Sequence, residues 1–496
     1  MGFQIALSVQ NVFFCFLGVT LGTLIGVLPG IGPVTGVAIL IPITFGMNAT
    51  TAIITMAGVY YGAMYGGSTT SILINVPGES SSVMTTLDGY QMARKGRAGP
   101  ALGMAAFSSF IAGTFAVILL TFIAPPLAEF ALSFGPPEYF ALTLMGLALV
   151  TSLAGESMLK GVMSGVFGLI LACIGIDAVS GGARFTFGNV YLLDGIGFIG
   201  VAVGLFAVAE VLVNLEEPMK QVFVETKLNL RSLFPNLQDW KDSLAPIGRS
   251  SLLGFFVGVL PGAGATIASF LSYATEKKLS KHPEKFGTGV IEGVAAPEGA
   301  NNAAAGGAMV PLLTLGIPGS GTTAVLLGAL LIHGLRPGPL LFQSNPDFVW
   351  GVIASMYIGN VLLLILNLPL VGLWASMLRV PYKILMPLIV TISAVGVYAT
   401  DNNIFDMWVM FAFGVIGYLM RKLDFPAAPA VLALVLGPLV ERSLRQSLTL
   451  SHGDLSIFFS RPISATLTIF AILSLFTPII RTAWQSARRR KGKGEG

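Results

Sequence analysis

The sequence predicts an all-α polytopic membrane protein, with roughly 10–12 transmembrane elements in two inverted repeats and helices broken or re-entrant at Pro-Gly motifs. Three observations lead there. Charged residues make up 10% of the 496-residue chain and apolar residues 54%, against about 25% charged in ordinary soluble domains. No Asp, Glu, Lys or Arg precedes Glu79; that is too long an uncharged start for a signal peptide, whose apolar core runs about 7–15 residues. A helix-breaking phrase in one apolar run, "GVLPGIGP" at 26–33, returns as "GVLPGAGA" at 258–265.

In chain order, the stretches 5–28, 102–124, 139–155, 159–176, 189–213, 352–378, 381–399, 405–420 and 463–480 approach the length of about 20 apolar residues that a helical span needs. Shorter or broken ones lie at 34–46, 51–78, 251–274, 303–334 and 427–440. Their apolar runs are continuous rather than alternating, which favours helices over barrel strands. Cys15 and Cys173 fall inside apolar segments and read as small hydrophobes, with no metal or redox spacing. His333 reads as a polar group at a helix end. The net charge of +4 comes largely from the terminal "RRRKGKGEG"; such a run beside a last span stays on the cytoplasmic side and meets anionic lipid. With no basic folded module beside it, nucleic acid is not an expected partner.

The duplication extends beyond the octapeptide. "GGSTTSILINVPGESS" (66–81) is answered by "GGAMVPLLTLGIPGSG" (306–321), and "GRAGPAL" (96–102) by "LRPGPLL" (335–341), at offsets of 232, 240 and 239 residues. The expected organisation is a first repeat at 1–214, a polar linker at 215–249, a second repeat at 250–482 and a basic tail at 483–496. Loop charge argues for inversion. "GMNATT" (46–51) has no charge, whereas its counterpart "EKKLSKHPEKFG" (276–287) carries four lysines; Arg94, Lys95 and Arg97 follow the first "PGES", but only Arg336 follows its copy. Lys- and Arg-rich short loops face the cytoplasm. The linker is basic as well as acidic, so either its charge is misleading or 251–274 folds back at Pro261-Gly262.

Proline removes a backbone donor and glycine permits positive φ, so breaks in mid-membrane expose amides and carbonyls that are costly unless paired or facing water. Amides at helix N-termini favour anions, and carbonyls at C-termini favour cations. The hydroxyl-rich surroundings make Asn75, Pro77, Gly78, Glu79, Ser80 and Ser81 candidate substrate contacts, together with Gly316, Pro318, Gly319, Ser320, Gly321, Thr322 and Thr323. The blander reading is that such hydroxyls bond back to their own helices or hold helices together. Pro29, Gly30, Gly32, Pro261, Gly262 and Gly264 are candidates for cation binding or simple helix breaking. "APEGANNAAAGG" (296–307) adds Glu298, Asn301 and Asn302 as cation or proton ligands, unless 290–302 is a loop outside the bilayer. No cofactor is expected.

Two rivals are weaker. An intramembrane aspartyl protease would need paired aspartates, but Asp177 and Asp194 lack the Gly-x-Gly-Asp context. An uncoupled pore predicts a row of like charges along one span, and none is visible. "GAGATIAS" and "GSGTTAV" lack the Lys-Ser/Thr of a nucleotide loop, so transport would be secondary.

The sequence resembles the large membrane subunit of tripartite tricarboxylate transporters, the TctA type, over essentially its whole length. The resemblance rests on 26–47, on "YGAMYGGSTTSILINVPGESSSVMTTLDGYQMARKGRAGPAL" (61–102), on 258–281, and on "GVIEGVAAPEGANNAAAGGAMVPLLTLGIPGSGTTAVLLGALLIHGLRPGP" (289–339). It implies a bacterial inner-membrane carrier of a citrate-like di- or tricarboxylate, coupled to Na+ or H+. The implied partners are a small membrane subunit of about four helices and a periplasmic substrate-binding protein. An elevator motion is the expected form of alternating access, by analogy with other paired-hairpin transporters.

Overall fold

The computed structural model describes residues 1–28, 31–153, 157–177, 180–216, 230–261, 264–377 and 382–474. The basic tail 483–496 therefore lies outside the described residues, as do Pro29, Gly30 and Gly262.

The first half runs through α1 (Val9–Val27), α2 (Gly32–Thr44) and α3 (Ala49–Ile74), then α4 (Val83–Met92) and α5 (Ala98–Ala131). α4 and α5 form one helical run bent at Gly96, whose φ is 78°. Next come α6 (Pro136–Leu153), α7 (Met158–Ala172) and a two-residue antiparallel pair, β1 (Gly175–Ile176) with β2 (Ala183–Arg184). α8 (Phe198–Glu216) ends the first half. The predicted span at 189–213 thus begins later, because 190–192 is a separate single 3-10 turn.

The second half contains α9 (Leu237–Val259), α10 (Gly264–Leu279), α11 (Glu292–Leu315), α12 (Gly321–Ile332), α13 (Pro346–Asn367), α14 (Val371–Met377), α15 (Tyr382–Asp401), α16 (Ile404–Lys422) and α17 (Ala427–Leu450). α18 (Pro462–Ser474) is the last described helix. Among the described residues, six helical runs are long and apolar enough to cross a membrane, including α1, α8, α13, α16 and α17. The chain is an all-α, multi-pass membrane protein.

α3 and α11 are absent from those six, and the reason is burial. Every residue of α3 from Thr51 to Ile74 is buried, and so is every residue of α11 from Gly293 to Thr314. A helix shielded from lipid on all sides can carry polar side chains provided they are paired inside. This also resolves the doubt over 290–302, which from Glu292 on is the first half of a buried helix and not a loop.

Each central helix is flanked by a hairpin. α1 runs parallel to α3: Gly18 faces the carbonyl of Thr55, Gly22 that of Val59 and Gly26 that of Ala63, each too close for a Cβ. α2 returns antiparallel, with Gly36 near Val59 and Thr44 Oγ1 3.8 Å from Met56 Sδ. In the second half Gly254 faces Ala300 and Gly258 faces Ala304, so α9 is parallel to α11. α10 folds back, placing Ser272 Oγ against Ala296 O at 3.0 Å and closing the hairpin base with the Arg249–Glu276 ion pair. Of the two readings of the linker charge, the fold-back is the one adopted, with α9 and α10 as its two arms. Glycine at four-residue spacing lets backbones approach where the solvent offers no hydrophobic drive.

The contacts also fix the register of the repeat. Gly66 meets Thr23 O and Val27 N, and Gly307 meets Phe255 O and Gly258; Gly78 meets Gly26 O and Gly67, and Gly319 meets Gly258 O and Ala308. Gly66 thus corresponds to Gly307 and Gly78 to Gly319, each 241 positions on, and not 240 as matching "GG" with "GG" suggests. The two central helices run in opposite directions past one another. Ser68 reaches Glu298, whereas Tyr60, two turns earlier, reaches Ser320, whose neighbour Gly319 sits back on Ala308. Equivalent helices that cross antiparallel are the signature of an inverted repeat.

The chain divides into two compact units, residues 1–131 with 197–418, and residues 132–196 with 419–496. The first contains all the features above. In the second, Gly168 of α7 packs on the carbonyl of Ala430 in α17. Buried Asp177 pairs with Arg184 at 3.0 Å and Arg445 at 2.8 Å, and buried Glu138 pairs with Arg461 at 2.6 Å. Asp177 is therefore engaged as a structural anion.

Candidate functional site

The two breaks are built alike. α3 ends at Asn75 and α11 at Gly316, both left-handed, with φ of 57° and 70°. Left-handed backbone strains any residue with a Cβ, least for Asn, so the two breaks solve one geometric problem with the two residues that tolerate it. Four positions on, Glu79 and Ser320 occupy the same N-cap role. The Glu79 side chain accepts from Ser81 N while Ser82 Oγ accepts from Glu79 N; the Ser320 hydroxyl accepts from Thr323 N while Thr323 Oγ1 accepts from Ser320 N at 2.8 Å. Between cap and break, Gly78 and Gly319 are pressed onto the carbonyls of Gly26 and Gly258, so their role is close packing.

α2 and α10 also begin at left-handed glycines, Gly32 (φ 63°) and Gly264 (φ 59°). Gly264 brings the start of α10 to Ser320: a Cβ there would lie 3.6 Å from the Ser320 Cβ. Two residues on, Thr266 Oγ1 is 2.8 Å from Ser80 Oγ. Tyr60 OH lies 3.5 Å from Ser320 Oγ. Three helix starts therefore meet: the run beginning at Ser80, α10 at Gly264, and α12 at Gly321. Ser80 is exposed, Ser320 half-buried, and Thr322 and Thr323 buried. Pro261 forms the turn leading to this point, and Pro77 and Pro318 precede the caps. The first amides of each helix have no intrahelical acceptor, and the helix dipoles add positive potential. Such a convergence suits an anion bound by neutral donors.

A second polar cluster lies on the buried side of the first break. Glu298 accepts from Ser68 Oγ at 2.6 Å and from Thr85 Oγ1 at 2.5 Å. Asn301 Nδ2 donates to Glu79 Oε1 at 3.2 Å, and the Ser81 hydroxyl also bonds that oxygen. Asn302 points elsewhere, donating to Ser109 Oγ at 2.8 Å on α5 and to the carbonyl of Glu298 at 3.2 Å. The two neighbouring asparagines thus serve different partners.

Sequence reasoning missed Thr266, Tyr60, Thr85 and Ser109, which no motif singles out. Thr266 had one available signal, its position directly after the second octapeptide. The other three are reached only across the repeat interface, so pattern along the chain does not disclose them.

The Tripartite tricarboxylate transporter TctA family matches residues 12–432. An uncharacterized 52.8 kDa protein in the TAR-I ttuC' 3' region of Agrobacterium vitis is 51% identical over 468 residues, 94% of this chain and 93% of its own length. An uncharacterized protein in the TAR-II ttuC' 3' region of the same organism is 47% identical over 232 residues, 46% of this chain and 96% of its own. No solved structure matches the chain.

Proposed function

Because the chain belongs to the tripartite tricarboxylate transporter TctA family, we propose that it is the large membrane subunit of a carrier that takes up a citrate-like di- or tricarboxylate against its gradient. The family is one of transporters, so the chain is not an enzyme. In this reading a secreted binding protein delivers the substrate, a small membrane subunit of about four helices completes the complex, and an Na+ or H+ gradient drives uptake into the cytoplasm. The chain sits in the bacterial inner membrane with its basic tail inside.

The observation that carries the reading is the meeting of three helix starts at Ser80, Gly264–Thr266 and Ser320–Thr323. Hydroxyls and unpaired amides there would hold the substrate carboxylates, and each helix terminus contributes about 0.3–1 kcal/mol to an anion's stability. Neutral donors allow release once access switches, which a buried guanidinium would oppose. Binding at the point where the two inverted halves cross lets a small rearrangement expose the substrate to either side.

The test is citrate uptake by the complex reconstituted in liposomes with an imposed Na+ or proton gradient. Uptake should require a gradient, and replacing Ser80 or Thr322 with Leu should reduce it at least tenfold, the cost of losing a hydrogen bond to a charged group and filling the space. Undiminished uptake by both variants would sink the site assignment. Flux without any gradient would replace the carrier by a pore.

A further inference from the structure

Glu79 and Glu298 lie inside the first compact unit, and among the described residues neither has a basic partner. Glu298 is fully buried and Glu79 is 8% exposed. Every donor they meet among the described residues is neutral: the hydroxyls of Ser68, Thr85, Ser109 and Ser81, the Ser81 and Ser82 amides and the Asn301 side chain. Asn301 stands three positions after Glu298 on α11, so its bond to Glu79 ties the two carboxyl groups to within a helical turn. Dipoles alone do not balance two adjacent carboxylates in a low-dielectric interior.

A second observation points the same way. Asn301 is 1% exposed, and its Oδ1 has no hydrogen-bond partner among the described residues. Buried acceptors are rarely left unmatched. An amide oxygen beside two carboxyl groups lacks a positive centre: either a metal cation bound by oxygens, or an acidic proton on Glu79 that the amide accepts after rotating about its last bond. Both supply one charge at one place.

We propose that Glu79, Glu298 and Asn301 form the coupling-cation site, in which the two glutamates share one monovalent positive charge, Na+ or H+. The role of the site rests on the transport reading; its existence does not. Glu79 is also the N-cap of the helical run starting at Ser80, where the substrate anion is placed. Without the cation its charge opposes the anion; with the cation that opposition disappears. Each ligand therefore strengthens the other by the same factor.

Other titratable groups around the cluster are occupied. Asp88 of α4 accepts from Tyr273 of α10 and from loop amides, Glu276 of α10 pairs with Arg249 of α9, and Tyr65 of α3 bonds Asn360 of α13. Tyr60 of α3 faces Ser320, and Glu292 stands at the first residue of α11, away from the cluster by more than one turn.

The test uses the full chain in nanodiscs of neutral lipid, with no substrate or partner. Saturable binding of radioactive sodium at one per chain, abolished in Glu79→Gln and Glu298→Gln, identifies Na+. No sodium binding, but a protonated-carboxyl infrared band that titrates and disappears in the same variants, identifies H+. Neither signal, or signals the variants leave unchanged, overturns the proposal. Should the Gln variants not fold, Thr85→Val decides, since it keeps both carboxylates and removes one donor: its cation affinity should change by about tenfold, and no change overturns the site. Cation binding without citrate uptake by the reconstituted complex would instead refute the transport reading and leave the site standing.

Discussion

Asp88 is fully buried, yet it is the fixed point around which the loop after α10 is wrapped. Its carboxylate accepts from the amides of Gly287, Gly289 and Val290 at 2.7–3.0 Å and from Tyr273 OH at 2.8 Å. Asp88→Ala would leave four buried donors unmatched, so a loss of about 3 kcal/mol or more is expected, measured as a lower melting temperature of the detergent-solubilised protein. No motif along the chain marks Asp88, because its partners lie some 200 positions away. Asn75 was better legible. It stands among the candidate contacts at the break, and its left-handed backbone, φ 57°, gives it a conformational role there. Asn75→Gly should be close to neutral in stability, whereas Asn75→Val should cost about 1–3 kcal/mol, since a β-branched residue resists left-handed backbone; thermal melts of the two variants side by side check this.

At the scale of elements, the hairpins depend on glycine contact. Gly258 faces the carbonyl of Ala304 with no room for a Cβ. Gly258→Leu should force α9 off α11 and cost at least about 1–3 kcal/mol, the range for overpacking a close-packed site, read as reduced folded yield by size exclusion. The tip of the second hairpin touches the first break through Thr266 and Ser80. Cysteines at these two positions should form a disulfide on oxidation and stop uptake until reductant is added, provided the contact opens during the cycle; uptake that continues under the cross-link would show it to be static. The duplicated phrases made these hairpins readable, since Pro-Gly breaks in apolar sequence have few structural solutions. Register was harder. "GG" matches "GG" by eye, but packing pairs Gly66 with Gly307, because what recurs is a glycine facing a backbone carbonyl, not a dipeptide.

For the whole molecule, the predicted halves and the compact units are different divisions. Sequence similarity divides the chain at 215–249, whereas packing divides it at 131, 197 and 418. The second unit escaped notice because it is held by long-range contacts such as Glu138 with Arg461 and Arg184 with Glu441, between segments that share no motif. The all-α membrane class, by contrast, follows from composition and the continuity of the apolar runs, and needed no partner to be seen. Orientation is testable at this scale. A C-terminal epitope should be cleaved by added protease in inside-out vesicles and protected in right-side-out ones, if the basic tail is cytoplasmic.

The discontinuity of the second unit has a consequence for biosynthesis. α6 and α7 leave the ribosome well before α17 and α18, and Ser464 must find the carbonyl of Pro137 across 327 positions. At about 5–20 residues per second, that interval lasts roughly 15–65 s. During it Glu138 sits in the nascent chain without Arg461, and the glycine face of α7 without Ala430. The first unit, whose last helices are made in the meantime, can assemble first. Quality control during insertion should therefore act on the half-built second unit, and chains stalled before residue 427 should be captured by insertion chaperones and proteases through α6 and α7.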